Sequence, residues 1–177
     1  PLSLAQHLRM PAVRMATGTV ERAMAGAGVR IHGVGSVPFA VLPFDSAVDE
    51  VIRRATAGEP TAVHFANAYT LALADADLEY AALFNGPTAI NFTDGVPVAW
   101  VGRRAYGLSA EQWPRVYGPD VMLAVLDRGT SLGHYLLGGS EETLAALKRV
   151  IARRFPTARI VGAESPAFRA LSDAEVA

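Results

Sequence analysis

A carboxylate followed by a glycine, Asp94-Gly95, closes a short apolar run and has the makings of a general base. Taking a proton from a hydroxyl needs an exposed acid side chain within hydrogen-bond reach of its substrate. Asp-Gly is also a common turn dipeptide, so the same pair can serve only to reverse the chain. Gly138-Gly139-Ser140 offers a second chemistry. A bare glycine turn leading into a helix presents free backbone N–H groups and the positive end of a helix dipole, which suits a diphosphate; the alternative is a plain tight turn. Arg115, in R-V-Y-G-P-D at residues 115–120, stands just before a helix start marked by Gly118, Pro119 and Asp120. Its guanidinium could grip phosphate in bidentate fashion, although most surface arginines are simply solvated.

Other chemistries are disfavoured. No complete G-x-G-x-x-G or Walker sequence is present, which argues against a dinucleotide or nucleoside triphosphate site. The four histidines, with no cysteine beside them, show no zinc spacing. His64 and His134 fall in or at the start of strand-like runs and read as core histidines. No serine sits in a nucleophile elbow. Asp75-Ala76-Asp77 lies inside a helical stretch, where the two carboxylates point to different faces. No metal and no cofactor are therefore expected.

These residues need elements to position them, and the chain supplies an alternation. Ser46 and Asp49 precede apolar positions at helical spacing, up to a Gly58/Pro60 break. Residues 61–66 read as a short buried strand and residues 68–84 as one helix ended by Asn85-Gly86-Pro87. Residues 88–92 form a second strand, 93–95 a turn, and 96–101 an apolar helix. A basic excursion over 103–115 follows, and Gly118-Pro119-Asp120 then opens another helix, with proline well placed in its first turn. Residues 134–137 are a third strand. Ser140 caps the clearest helix, 140–154, with Glu141 and Glu142 at its positive end and Arg149, Arg153 and Arg154 at the other. Residues 159–161 return as a fourth strand.

Alternating strands and helices with short connections favour a parallel sheet covered on both faces, so the expected fold class is α/β, Rossmann-like. Ligands in such sheets lie beyond the carboxyl ends of the strands. That rule selects Asn67, Asp94, Gly138-Gly139 and Gly162. Residues 1–35, rich in Ala, Gly and Arg with weak periodicity, are expected to be a poorly defined leader, and 36–177 the functional core.

Composition sets outer limits. The 177 residues are 51% hydrophobic and 19% charged, enough for one domain with a sizeable core. Sixteen basic residues nearly cancel 17 acidic ones, which disfavours a nucleic-acid partner. The absence of cysteine removes disulfides and thiolate chemistry and fits a reducing cytoplasm. Apolar runs such as 37–44 are far shorter than the roughly 20 residues that span a bilayer. The amino terminus shows no secretory signal.

The order of the pieces carries a resemblance. An Asn after the first strand, F-T-D-G-V-P-V-A-W at 92–100, R-V-Y-G-P-D at 115–120, H-Y-L-L-G-G at 134–139 and I-V-G-A-E-S-P-A-F at 160–168 together resemble the bacterial WecG/TagA/CpsF glycosyltransferases. The match runs from about Pro38 to Phe168. The resemblance implies inverting transfer of a sugar such as N-acetylmannosamine from a UDP carrier to a polyprenyl-diphosphate-linked acceptor, for cell-surface polymers. It implies Asp94 as general base, Asn67 beside the sugar pocket, Arg115 near the donor, and Gly138 and Gly139 as the glycine-rich turn, with Gly118 and Asp120 in the donor motif. A cytoplasmic protein, peripheral at the inner face of the membrane, is the matching expectation.

Two departures stand out. Phe65 replaces a Thr found in many members two residues before the Asn, and it cannot donate a hydroxyl hydrogen bond. Members usually continue into a G-x-P-x-Q-E-type segment and a basic tail, which this sequence is expected to lack. The rival reading from another class is a non-catalytic nucleotide-sugar binding domain, which would keep Gly138-Gly139 and not require Asp94.

Overall fold

The computed structural model describes residues 29–166. Most of the proposed leader, residues 1–28, lies outside them, as do Ala167 and Phe168 of the last motif. The leader's remaining residues contradict the sequence reading. Strand β1 (Arg30–Val34) pairs antiparallel with β2 (Val37–Val41), through a two-residue turn in which Gly35 takes φ 59°. Residues 30–34 thus belong to the folded unit. The hairpin is held from three sides. Tyr106 Oη accepts from the Gly33 N–H and donates to the Gly33 carbonyl, Asp75 accepts from the Ser36 N–H, and Asn85 donates to the Ser36 carbonyl.

After helix α1 (Phe44–Ala57) come β3 (Ala62–Ala66), α2 (Ala68–Ala76), α3 (Leu78–Asn85) and β4 (Ala89–Thr93). The single helix expected over 68–84 is therefore two. Asp77 ends the first in an extended conformation and caps the second, accepting from the N–H groups of Glu79 and Tyr80. A short acid side chain that satisfies two otherwise unpaired donors makes a helix break cheap. The chain continues with α4 (Val96–Tyr106), α5 (Gly118–Arg128), β5 (Gly133–Leu137), α6 (Glu141–Arg154) and β6 (Arg159–Glu164). No described helix is long and apolar enough to cross a membrane.

The class is α/β, and the sheet differs from the expected one. The described strands form three two-stranded sheets: the antiparallel hairpin, a parallel β3–β4 pair and a parallel β5–β6 pair. β2 nevertheless runs beside β4. The buried Asn91 amide joins the two strands, donating to the Pro38 carbonyl at 2.7 Å and to the Phe84 carbonyl at 2.9 Å.

Helices cover both faces of this β2/β4/β3 layer, because alternate strand residues point to opposite sides. Val37, Phe39 and Val41 pack with Ala74 of α2, Ala81 and Phe84 of α3 and Val98 of α4. Ala40, Ile90 and Phe92 pack with Ala47 and Val48 of α1 and Val121 of α5. The β5–β6 pair is covered on one side by α6, which buries Leu144 and Ile151, while Tyr135, Leu137 and Val161 are exposed.

The excursion between α4 and α5 is anchored by Trp113, the largest fully buried side chain among the described residues. Its Nε1–H donates to Thr93 Oγ1 at 2.8 Å, and its carbonyl accepts from Arg103 Nε at 2.7 Å. The ring lies so close to α4 that a Cβ on Gly102 would stand 2.5 Å from it. Gly102→Ala is therefore an overpacking change, expected to cost about 1–3 kcal/mol of stability. Urea unfolding checks this: the midpoint falls, whereas an unchanged midpoint would mean that the indole yields freely.

Candidate active site

Asp94 follows β4 directly, and the parallel register that sets Ala66 opposite Thr93 makes Asn67 its neighbour across the strands. The Asp94 N–H continues the ladder, donating to the Ala66 carbonyl at 3.0 Å. Gly95 lets the two strand ends approach: a Cβ there would stand 3.3 Å from Asn67 Cβ. Asp94 and Asn67, singled out separately in the sequence, thus share the carboxyl edge of one strand pair.

Three helices begin at this edge. α2 starts after Asn67, α4 after Asp94-Gly95, and α5 at Gly118. The Gly118 N–H points at the Asp94 carboxylate, 3.4 Å from Oδ1. This close approach requires glycine, since a Cβ on residue 118 would meet the Phe65 ring at 2.9 Å. Phe65 therefore acts as a wall behind Gly118. Its ring also packs on Phe92.

Arg115 closes the other side. Its Nε donates to the Asp94 carbonyl, one terminal nitrogen lies 3.9 Å from Asp94 Oδ1, and the guanidinium covers the Tyr117 ring at 4.1 Å. An arginine has five N–H donors; its side chain, 41% exposed here, keeps several for an outside anion. Asp94 is 20% exposed at its side chain, enough to be reached and too little to be fully hydrated. Its Oδ2 takes part in none of these contacts.

Asn67 has a local duty. Its Oδ1 accepts from the N–H groups of Tyr69 and Thr70, capping α2. The carbonyl oxygen is thereby committed, and the Nδ2 group is what remains for a ligand. Asp120 sits exposed in the first turn of α5, where a carboxylate suits the helix dipole.

The glycine turn belongs to the other parallel pair. Gly138 and Gly139 follow β5 with φ of 109° and 74°. The Gly138 N–H donates to the Glu164 carbonyl, and the Gly139 carbonyl accepts from Ser165 Oγ. The turn therefore offers fewer free donors than its sequence suggests: the Gly138 N–H is spent on β6, and the Ser140 hydroxyl already satisfies Thr143 N–H. Glu141 and Glu142 also bring negative charge to that helix end. None of the turn's hydrogen bonds reaches the Asp94 cluster.

His64 and His134 are half-buried, and the Nε2 of each is enclosed without a hydrogen-bond partner, so neither is the satisfied core histidine expected. His64 packs on Phe84, and burial pushes His134 below the usual imidazole range, with a smaller opposing effect of a hydrogen bond to the Gly129 backbone. Among the described residues no three His, Asp or Glu side chains converge as a metal-ligand group. Sequence reasoning missed Thr93 and Trp113, which hold the Arg115 segment in place; a lone Trp inside a polar excursion was the available signal. Val116 N–H completes the hold by donating to the Thr93 carbonyl at 2.8 Å.

No curated protein sequence matches the chain closely enough to assign a relative. A model of the glycosyl transferase WecG/TagA/CpsF family does match, over residues 32–177, and takes in every element from β2 onward together with the Asp94, Arg115 and glycine-turn motifs. The chain belongs to the WecG/TagA/CpsF family and is a glycosyltransferase of cell-surface polysaccharide synthesis.

Proposed function

We propose that this chain is an inverting hexosyltransferase that moves an N-acetylmannosamine-like sugar from UDP to a hydroxyl of a polyprenyl-diphosphate-linked sugar. The observation that carries the reading is the setting of Asp94. A partly buried carboxylate at a strand's carboxyl edge is fixed by Gly118 N–H and Arg115 on one oxygen, which leaves the other for a substrate proton. In the reaction the acceptor oxygen attacks the anomeric carbon from the face opposite the leaving group. Its proton passes to Asp94 Oδ2 while the bond between the anomeric carbon and the β-phosphate oxygen breaks. UDP departs with that electron pair, and the sugar's anomeric configuration inverts.

The charge that develops on the departing diphosphate needs a cation or oriented donors. Arg115 is the nearest cation to Asp94 and supplies charge-assisted hydrogen bonds. The Gly139 and Ser140 N–H groups at the amino end of α6 are the second proposed contact, narrower than the whole Gly138-Gly139 turn. Asn67 Nδ2 would orient a sugar hydroxyl or amide, with Gly118 and Asp120 framing the donor side. The acceptor's lipid places the enzyme at the inner face of the cell membrane, as a peripheral protein. The cation in this scheme is an arginine, so neither metal nor cofactor enters a step.

Asp94→Asn keeps the size of the side chain and removes its basicity. Turnover, measured as UDP released in the presence of acceptor, falls roughly 100-fold or more while UDP-sugar affinity is retained. Wild-type turnover in this variant would reject Asp94 as the base. Arg115→Ala lowers UDP affinity about tenfold by calorimetry, the loss of one charge-assisted contact; unaltered affinity would put the donor elsewhere. Turnover survives EDTA. Loss on chelation with recovery in Mg²⁺ or Mn²⁺ would overturn the arginine-only scheme.

A further inference from the structure

We infer that the outer face of α4 is a membrane-docking surface, which rests on an anionic bilayer and brings Asp94 to the lipid-linked acceptor. The inference builds on the acceptor class proposed above. α4 is amphipathic with an unusual outer face. Val98, Ala99 and Gly102 are buried, whereas Val96 and Trp100 are 60% and 64% exposed. Val96, Trp100, Arg103, Arg104 and Gly107 recur at helical spacing, so they form one stripe. Trp100, Arg103, Arg104, Gly107 and Leu108 line a shallow hollow at its far end.

An exposed indole beside two guanidiniums is the side-chain chemistry of the bilayer interface, where tryptophan sits at headgroup level and arginine meets phosphate. Charge supports an anionic occupant. Arg103 is tethered to the Trp113 carbonyl and lies in the field of Glu111, whereas Arg104 is exposed and has no acidic partner among the described residues. The stripe is also placed for the reaction. It begins two residues after Asp94, and the helical rise carries Arg104 roughly 12 Å beyond Val96. A stripe that rests on the bilayer along this length holds Asp94 at its near end, close to the surface from which a lipid-linked sugar would reach it.

The chain has two tryptophans, and Trp113 is only 1% exposed, so a vesicle-dependent change in emission reports Trp100. The test titrates the full chain with phosphatidylcholine vesicles, with and without phosphatidylglycerol, and with lipids brominated in the acyl chains. Emission is expected to shift to the blue and to be quenched on the anionic vesicles. Trp100→Ser abolishes the signal, and Arg104→Glu weakens co-sedimentation by about tenfold. Both variants retain wild-type turnover on a water-soluble acceptor. Equal co-sedimentation of wild type and both variants would overturn the inference. A shift that appears without vesicles and grows with protein concentration would overturn it too, because a second copy would then cover the stripe. The binding assay contains no substrate. A wild type inactive in the proposed sugar transfer that still docked through Trp100 would reject that proposed reaction while upholding the docking surface.

Discussion

The strand edge that presents Asp94 depends on one buried donor finding its acceptor. Trp113 enters the core from a polar excursion, and its indole N–H must be paired there, since a buried unpaired donor costs about 1–3 kcal/mol. Thr93 Oγ1 is the partner. Thr93 is also the last residue of β4, so this bond ties the excursion to the strand end that presents Asp94. Val116 N–H on the Thr93 carbonyl and Arg103 on the Trp113 carbonyl add two more ties. Arg115, Tyr117 and Gly118 then have little freedom over where they lie: they close around the carboxylate. The site's electrostatics therefore follow from a packing event one turn away from it.

This explains why part of the molecule was legible in the sequence and part was not. Local signals sufficed for the helix over 140–154, whose Ser140 cap and end charges are as expected, and for the strand-end positions of Asn67 and Asp94. Each depends on residues within a few positions of one another. The hairpin depends on distant partners: β1 reads as weak sequence because its Gly33 and its turn are satisfied by Tyr106, Asp75 and Asn85, none of them nearby in the chain. The break at Asp77 was hidden by good helix formers on both sides. Trp113 could be noticed as an odd residue, but its acceptor twenty positions earlier could not be inferred.

The glycine turn illustrates a different limit. Gly-Gly-Ser before a helix correctly announces a tight turn with positive φ, and both glycines adopt it. What the local pattern omits is competition for the turn's polar groups. β6 takes the Gly138 N–H, Ser165 takes the Gly139 carbonyl, and two glutamates occupy the first turn of the helix. In the proposed scheme this leaves Arg115 as the principal anion contact and the turn as a supporting one. Asn67 shows the same economy: its carbonyl end caps α2, so only its amide end is left for the sugar contact proposed above.

If Asp94 is the base, the Trp113 anchor acts on catalysis through it. A double-mutant cycle of Trp113→Phe and Asp94→Asn, read as kcat/KM for sugar transfer at a temperature where all four proteins are folded, tests it directly. Trp113→Phe alone should slow the wild-type enzyme, and the double variant should be no slower than Asp94→Asn, because loss of the anchor has nothing further to misplace once the proposed base is gone. Fully multiplicative effects would contradict the claim, since they would mean that the anchored segment and the carboxylate contribute independently.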